Sequence, residues 1–390
     1  MTRIAHLADL HIGFSHLGHR DPGGRNLRQL DFERAALLAA GKIIAEEVDA
    51  CVIAGDLLHE TNMYPSALSG AVRFCREISS AGIPVIAIGG NHDEAEGQGR
   101  YNGLRFLQSH AGLELHLDQG ERDLGDVRLH LVSFRVLSRA FGGRGEIAPF
   151  QWSDDLTNVL VTHGYAPGKG VPQIPPGTDT EIPREWLEDK RFALSMLGHI
   201  HHHGEIAPRV FYSGSTERRN FGEAGESPGF WIHDLRSGGL QSSESVLISS
   251  LGDGGLPRPM IDERIETSGM TVRELDKAIG ELFDQHDLNG AMMRVSLENV
   301  SPDLDRARST AAWEKEFRRR GGLHFEAAVK TRQVQELLSV EFAAAPDDIG
   351  KGFLDFLGNQ DLGEDEEAIL EEAGAVMAEA RDRLIAQESD

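Results

Sequence analysis

The sequence predicts an α/β protein: a mixed-sheet domain over residues 1 to about 250, then a smaller unit and a helical tail. Three observations carry this reading. Short apolar runs recur, each ending in Gly, Asp, Asn or His. Amphipathic helical patterns separate the early runs. A Gly/Pro-rich stretch, LGDGGLPRP at 251–259, then divides the chain into two differently patterned parts.

The runs are RIAHLAD, ACVIAGD, PVIAIGGNHD, LHLVSF, NVLVTHG, LSMLGHIH and VFYSGS. Their length and β-branched content favour buried strands over helices. Between the early runs, LRQLDFERAALLAAGKIIAEEV and YPSALSGAVRFCREISSAG read as helices. The second opens at Pro65 and closes at Gly82, the ends where those residues are tolerated. Strand–helix–strand order implies parallel pairing at first, and the closer spacing of the later strands suggests antiparallel pairing. Residues 251–259 form a linker. Beyond it, PMIDERIE, AMMRVSLENV and LHFEAAVK read as strands. The helix TVRELDKAIGELFDQ opens on a capping box of Thr271 and Glu274, and LDRARSTAAWEKEFRRR reads as one further helix. This second domain covers 260–335. Residues 336–390 are a helical tail in which Ile369, Leu370, Ala373, Val376, Met377, Ala380 and Leu384 share one stripe.

With 40% hydrophobic and 26% charged residues, the 390-residue chain has the composition of an ordinary globular protein of two or three domains. No apolar run approaches the roughly 20 residues of a membrane-spanning helix. The first residues, MTRIAHLADLHIG, lack the features of a signal peptide. A cytoplasmic protein with no membrane partner is expected. Both cysteines, Cys51 and Cys75, sit in apolar contexts and are expected as buried thiols, so any metal must be held by His, Asp, Asn or Glu. The net charge of −24 opposes nucleic acid in bulk, but residues 336–390 hold 16 acids and 3 bases, a net of −13. The bulk sign therefore says little about any one face of the remainder.

Five strand ends carry one kind of chemistry. They are ADLHIG (Asp9, His11), GDLLHE (Asp56, His59), GGNHDE (Asn91, His92, Asp93), THGY (His163) and GHIH (His199, His201). Sites in α/β sheets form beyond the carboxyl ends of strands. Residues two apart on an extended segment point the same way, so Asp9/His11 and His199/His201 can each offer two ligands to one cavity. Mixed nitrogen and oxygen ligation without thiolate suits Mn, Fe or Zn. Seven donors exceed the needs of one tetrahedral ion and fit two ions sharing a carboxylate, for which Asp56 is the central candidate.

The order DxH…GDxxH…GNHD…H…GHxH resembles the calcineurin-like metallophosphoesterase superfamily. The run YSGSTERRNFGE (212–223), HLG at 16–18 and His59 are more particular and resemble the Mre11/SbcD DNA-repair nucleases. The resemblance is clear to about residue 250. It implies a two-sheet αββα sandwich (1–250) followed by a small α+β capping domain (260–335). It also implies two Mn²⁺ ions, one on Asp9, His11, Asp56 and His201, the other on Asp56, Asn91, His163 and His199. His92 would assist the leaving oxygen as a catalytic residue and His59 would stand near the scissile phosphate; Asp93 is expected to orient His92. The implied partners are DNA, a Rad50/SbcC-type ATPase docked on the acidic tail, and a second copy of the chain through GAVRFCREI and GLRFLQSHAG. The chain has no GxxxxGK[ST] phosphate loop of its own.

In GHIHHHGE, His202 is expected to face away from the ligands and His203 to be a surface residue, a triplet that departs from the family's usual pattern. Arg20, Arg25, Arg28, Arg218, Arg219 and Arg318–Arg320 are candidates for a DNA-tracking groove. Two rival readings use part of this pattern: a phosphatase or phosphodiesterase for small nucleotides or phosphoproteins, and a metal-free scaffold on the same fold.

Overall fold

The computed structural model describes residues 1–61, 64–93, 102–175, 177–252 and 256–331. Strand and helix alternate through β1 (Thr2–Leu7), α1 (Leu27–Ala45), β2 (Ala50–Ala54), α2 (Pro65–Ser80), β3 (Val85–Ile88), α3 (Gly103–His110) and β4 (Leu113–His116). Then come β5 (Gly120–Leu124), β6 (Val127–Val132), α4 (Phe134–Phe141), β7 (Thr157–His163), α5 (Arg184–Glu188) and β8 (Phe192–Gly198). The remaining strands of this part are β9 (Gly204–Ala207), β10 (Val210–Tyr212), β11 (Gly229–Arg236) and β12 (Gly239–Leu247).

One sheet has the order β12-β11-β1-β2-β3-β4 and the other β5-β6-β7-β8-β10-β9. Period-two alternation divides each central strand between two cores. Ile4, Val52 and Ile86 cluster with Leu129, Val161 and Met196 of the second sheet. Their neighbours Ala5, Ile53 and Ala87 cluster instead with Ala39, Phe74 and Leu107 of α1, α2 and α3. On the second sheet's other face, Leu197 and Tyr212 cluster with Leu137 of α4 and with Trp186 and Leu187 of α5. The result is the helix–sheet–sheet–helix layering of an αββα sandwich. Burial on both faces explains why these strands read as continuous apolar runs.

Two expectations are corrected. The strands β6, β7, β8 and β10 are parallel neighbours, not antiparallel ones. The segments between β6, β7 and β8 carry α4 and α5 and are long enough to cross over, while β9 supplies the reversal between β8 and β10. Within the two six-stranded sheets the antiparallel pairs are β5 with β6, β9 with β10, and β11 with β1 and β12. Second, LDRARSTAAWEKEFRRR is not one helix. It is divided between α7 (Pro302–Ala307) and α8 (Thr310–Arg319) once the small part is numbered from α6 (Val272–Gln285). Ser309 starts α8 by accepting from the Ala312 N–H at 3.3 Å, a cap that stabilises a new helix start.

The small part also holds a three-stranded sheet in the order β13 (Met260–Glu266), β14 (Met292–Val300), β15 (His324–Thr331). Thr271 and Glu274 form the capping box that opens α6. By chain contacts the molecule divides into two units. The first comprises Met1–Ile265, Met270–Leu297 and Ala307–Ala328; the second comprises Glu266–Gly269, Glu298–Arg306 and the chain from Val329. Within the second, the Thr267 N–H and hydroxyl both donate to the Glu298 carbonyl, at 3.0 and 2.8 Å. The expected tail helices and the stripe expected from Ile369 to Leu384 lie outside the described residues. Cys51 and Cys75 are buried free thiols, and burial pushes the Cys75 thiol up to about 12. No helix among the described residues is long and apolar enough to cross a membrane.

Candidate metal centre

The loops after β1, β2, β3, β7 and β8 meet at one end of the sandwich, and glycines let them. A Cβ on Gly90 would overlap the Asp56 carboxylate, and one on Gly198 would overlap the Ala54 carbonyl. This is the physical content of the glycines in GGNHD and GHIH. Asp9, His11, Asp56 and His199 all have positive φ, at 53°, 42°, 52° and 100°. Left-handed backbone at non-glycine residues costs on the order of 1–3 kcal/mol each and gathers at functional sites. It also replaces the extended alternation expected for Asp9/His11 and His199/His201: turns, not strands, aim these side chains. The His199 N–H donates to both oxygens of Asp9, at 3.1 and 3.0 Å, which ties the two sheets together here.

The seven candidate ligands converge, and the outward nitrogens of His163, His199 and His201 are already occupied. His163 Nδ1 donates to the Ala54 carbonyl at 2.7 Å, His199 Nε2 to Asp179 at 2.7 Å, and His201 Nδ1 to Glu223 at 3.0 Å. Each imidazole therefore turns its other nitrogen inward, the arrangement typical of metal-ligating histidines. Those inward nitrogens meet further acceptors. His163 Nε2 and His199 Nδ1 lie 3.0 and 2.9 Å from Asn91 Oδ1, and His11 Nε2 lies 3.0 Å from His201 Nε2. Asp56 Oδ2 sits between the groups, 3.7 Å from His11 Nε2 and 3.6 Å from His163 Nε2. Lone pairs facing lone pairs in a buried cluster call for a cation between them. Asp9/His11/His201 and Asp9/Asp56/His163 are each close enough to share one. The donor chemistry fits two ions, with Asp56 between the sets.

Electrostatics keep two of the rings neutral. Burial, with help from His201 and Arg219, holds His11 well below the usual imidazole range, and burial also lowers His163, so both stay neutral and able to ligate. Burial raises Asp9. At His199 and His201 burial opposes charge, but the Asp179 and Glu223 carboxylates outweigh it and raise both rings.

Beside this cluster stand the two histidines assigned catalytic roles. The His92 N–H donates to Asp56 Oδ1 at 2.9 Å, and its ring donates through Nδ1 to the His59 carbonyl at 3.1 Å. That leaves Nε2 as the ring's acceptor, 3.1 Å from Arg219 Nη1. His59 stacks on His92 with ring centres 5.0 Å apart and lies 3.4 Å, Nδ1 to Nδ1, from His11. Burial, then His92 and Arg219, lower His59 to about 4. Asp93 accepts from the Gly90 and Leu58 N–H groups at 2.8 and 3.2 Å, so it braces the two loops that carry Asp56 and His92.

His202 does not turn away: it lines the pocket and pairs with Glu226 at 3.0 Å. His203 is not a free surface residue. It is half-buried, stacked on Trp231 with ring centres 4.6 Å apart and bonded to the Ser213 carbonyl at 2.6 Å. Most of the arginines proposed for a groove are engaged within the chain. Arg20 donates to Gly24, Arg25 pairs with Glu33, Arg28 with Asp31, Arg318 with Glu314, and Arg319 and Arg320 with Glu316. Arg218 donates to the Glu226 carbonyl, whereas Arg219 lines the pocket with His92, Asp56 and His201. Asp179 and Glu223 were not among the predicted site residues. Glu223 lies in the quoted YSGSTERRNFGE run, but Asp179 has no sequence signal.

Residues 2–203 match the family described as calcineurin-like phosphoesterase, and the chain belongs to that family. It is also similar to curated proteins named "DNA double-strand break repair protein Mre11". The one from Archaeoglobus fulgidus is 35% identical over 334 residues, covering 80% of this chain and 71% of that protein. Those from Methanopyrus kandleri and Haloferax volcanii are 27% and 29% identical, covering 63% and 57% of this chain. The Archaeoglobus match places the chain in the Mre11 family. The chain spans about half the length of the other two, 56% and 47%.

Proposed function

We propose that the chain is a DNA phosphodiesterase that processes double-strand ends with two Mn²⁺ ions and works with a Rad50/SbcC-type ATPase. The observation that carries this is the convergence of His, Asp and Asn donors around Asp56, with Asp9, His11, Asp56 and His163 buried and His92 and Arg219 beside them. The DNA substrate is suggested by the relatives' name, DNA double-strand break repair protein, and the ATPase partner by the resemblance to the Mre11/SbcD nucleases. A mixed nitrogen and oxygen set without thiolate suits Mn, Fe or Zn, and manganese among them is what the family resemblance implies.

Two divalent ions bound there would supply a nucleophilic water at neutral pH and withdraw charge from the phosphoryl oxygens. Asp9, His11, Asp56 and His201 would hold one, and Asp56, Asn91, His163 and His199 the other. The chain's own groups do the rest. Arg219 Nη1 exchanges its contact with His92 Nε2 for a phosphoryl oxygen, adding a fixed positive charge where negative charge grows. His92 keeps its Nδ1–H on the His59 carbonyl; once Arg219 has left it, Nε2 takes up a proton from solvent and passes that proton to the departing ribose oxygen. His59 stays neutral above about pH 4 and fixes His92 through its carbonyl and its stacked ring. The acidic tail, 336–390, is the proposed ATPase-docking segment, and α2 and α3 the proposed contact in a homodimer.

The test is Mn²⁺-dependent digestion of an end-labelled linear duplex, with His92→Gln as the blank. A nucleotide ladder that the blank lacks supports the proposal. Intact DNA, with and without the ATPase, alongside hydrolysis of a nucleotide monoester would replace it with a phosphatase reading.

A further inference from the structure

Arg219 lines two cavities. One is the metal pocket, of about 320 Å³. The other, of about 220 Å³, is bounded by the turn after β1, the segment around Phe221 and the small sheet. Leu17, Phe221, Met260 and Met292 give it apolar surface, and Arg294 and Glu326 give it charge. Its size exceeds the ~30 Å³ share of a water molecule several-fold and falls short of the roughly 300 Å³ at which drug-sized pockets begin. That is space for one flat ring system.

The lining suits a ring of a particular kind. Asp262 holds the Arg294 guanidinium through Nε and Nη2, both at 2.8 Å, and its carbon lies 5.1 Å from the centre of the Phe221 ring. A pinned guanidinium beside an aromatic ring is a platform of the sort on which unpaired bases stack. Glu326 offers an acceptor to an exocyclic amine. A phosphate at Arg219 and a ring in the second cavity that Arg219 lines would be the two ends of one nucleotide.

We infer that this second cavity is a nucleobase subsite for the nucleotide whose phosphate lies at Arg219. The inference rests on the phosphodiesterase reading above. Adenine, cytosine and guanine carry an amine for Glu326, and thymine does not, so the subsite favours the first three.

The test is calorimetric titration of the full chain in Mn²⁺ with dAMP, dTMP and 2-deoxyribose 5-phosphate. The expected result is dAMP binding roughly tenfold or more tightly than the sugar phosphate, the size of a base-stacking contribution, with dTMP between them. Met292→Trp, which puts a ring into the cavity, reduces that ratio to about threefold or less. Arg294→Ala removes the platform from a partly exposed position and serves the same purpose if Met292→Trp does not fold. Equal affinity for dAMP and the sugar phosphate in the unaltered chain, or a ratio undiminished in the folded variants, overturns the subsite. Failure of all three phosphates to bind brings down the phosphodiesterase reading itself, and the inference with it.

Discussion

Removing one guanidinium from the buried ion network behind the site, as in Arg258→Met, should destabilise the chain by about 3 kcal/mol. Asp31, with 2% of its side chain exposed, receives Arg258 Nε and Nη2 at 2.6 and 2.7 Å and Arg28 Nη1 at 2.6 Å. Glu217, wholly buried, accepts from the Arg258 N–H at 2.9 Å and from Arg28 Nη2 at 3.3 Å. Two cations thus balance two anions. Without the Arg258 side chain, two buried carboxylates share Arg28, and the Gly290 carbonyl loses a donor at 2.9 Å. Breaking a buried pair costs about 3–5 kcal/mol. Asp31 keeps one partner and Arg258 is 15% exposed, which favours the lower end. Asp31→Asn in the same chain removes the orphaned charge, so the double variant should recover about 2 kcal/mol, a coupling ordinary for residues in one network. Urea denaturation of the four proteins in the cycle gives the numbers. A loss under about 1 kcal/mol, or additive effects, would refute the reasoning.

Two other perturbations probe the site and the core. Asp179→Ala should weaken metal binding or activity by about 10–100-fold, because it frees the outer nitrogen of His199; the measurement is Mn²⁺ titration followed by cleavage. His6 is wholly buried, and burial lowers it to about 3. The unfolded chain takes up that proton near pH 6.5 and the folded chain does not until about 3. Stability present above pH 6.5 is therefore lost as pH falls through that window, by about 1.4 kcal/mol per pH unit for one proton. His6→Gln should flatten the acid limb of the stability curve by that one proton.

The convergence of the candidate ligands was legible because its ingredients are local. Gly55, Gly90 and Gly198 precede the donors or end the strands before them, and strands buried on both faces announce themselves as apolar runs. What stayed hidden depends on the far side of the fold. Asp179 earns its place by standing behind His199, 20 residues along the chain, with no pattern to mark it. Arg219 looks no different from Arg218 until one reaches His92 and the other is spent on the Glu226 carbonyl. The edge strands β4, β5, β9 and β12 escaped notice, as did β11 inside the first sheet; GLQSSESVL has no apolar run to read, and the apolar residues of GFWIHDLR are interrupted by His and Asp. Strand direction in the second sheet was misjudged because spacing alone does not reveal whether a connection crosses over.

The central claim is a two-ion centre joined at Asp56, and metal content tests it directly. Purified protein equilibrated with Mn²⁺ and then desalted should retain two ions per chain, and Asp56→Ala should retain neither, while still melting as a folded protein. Two ions retained in folded Asp56→Ala would contradict the account.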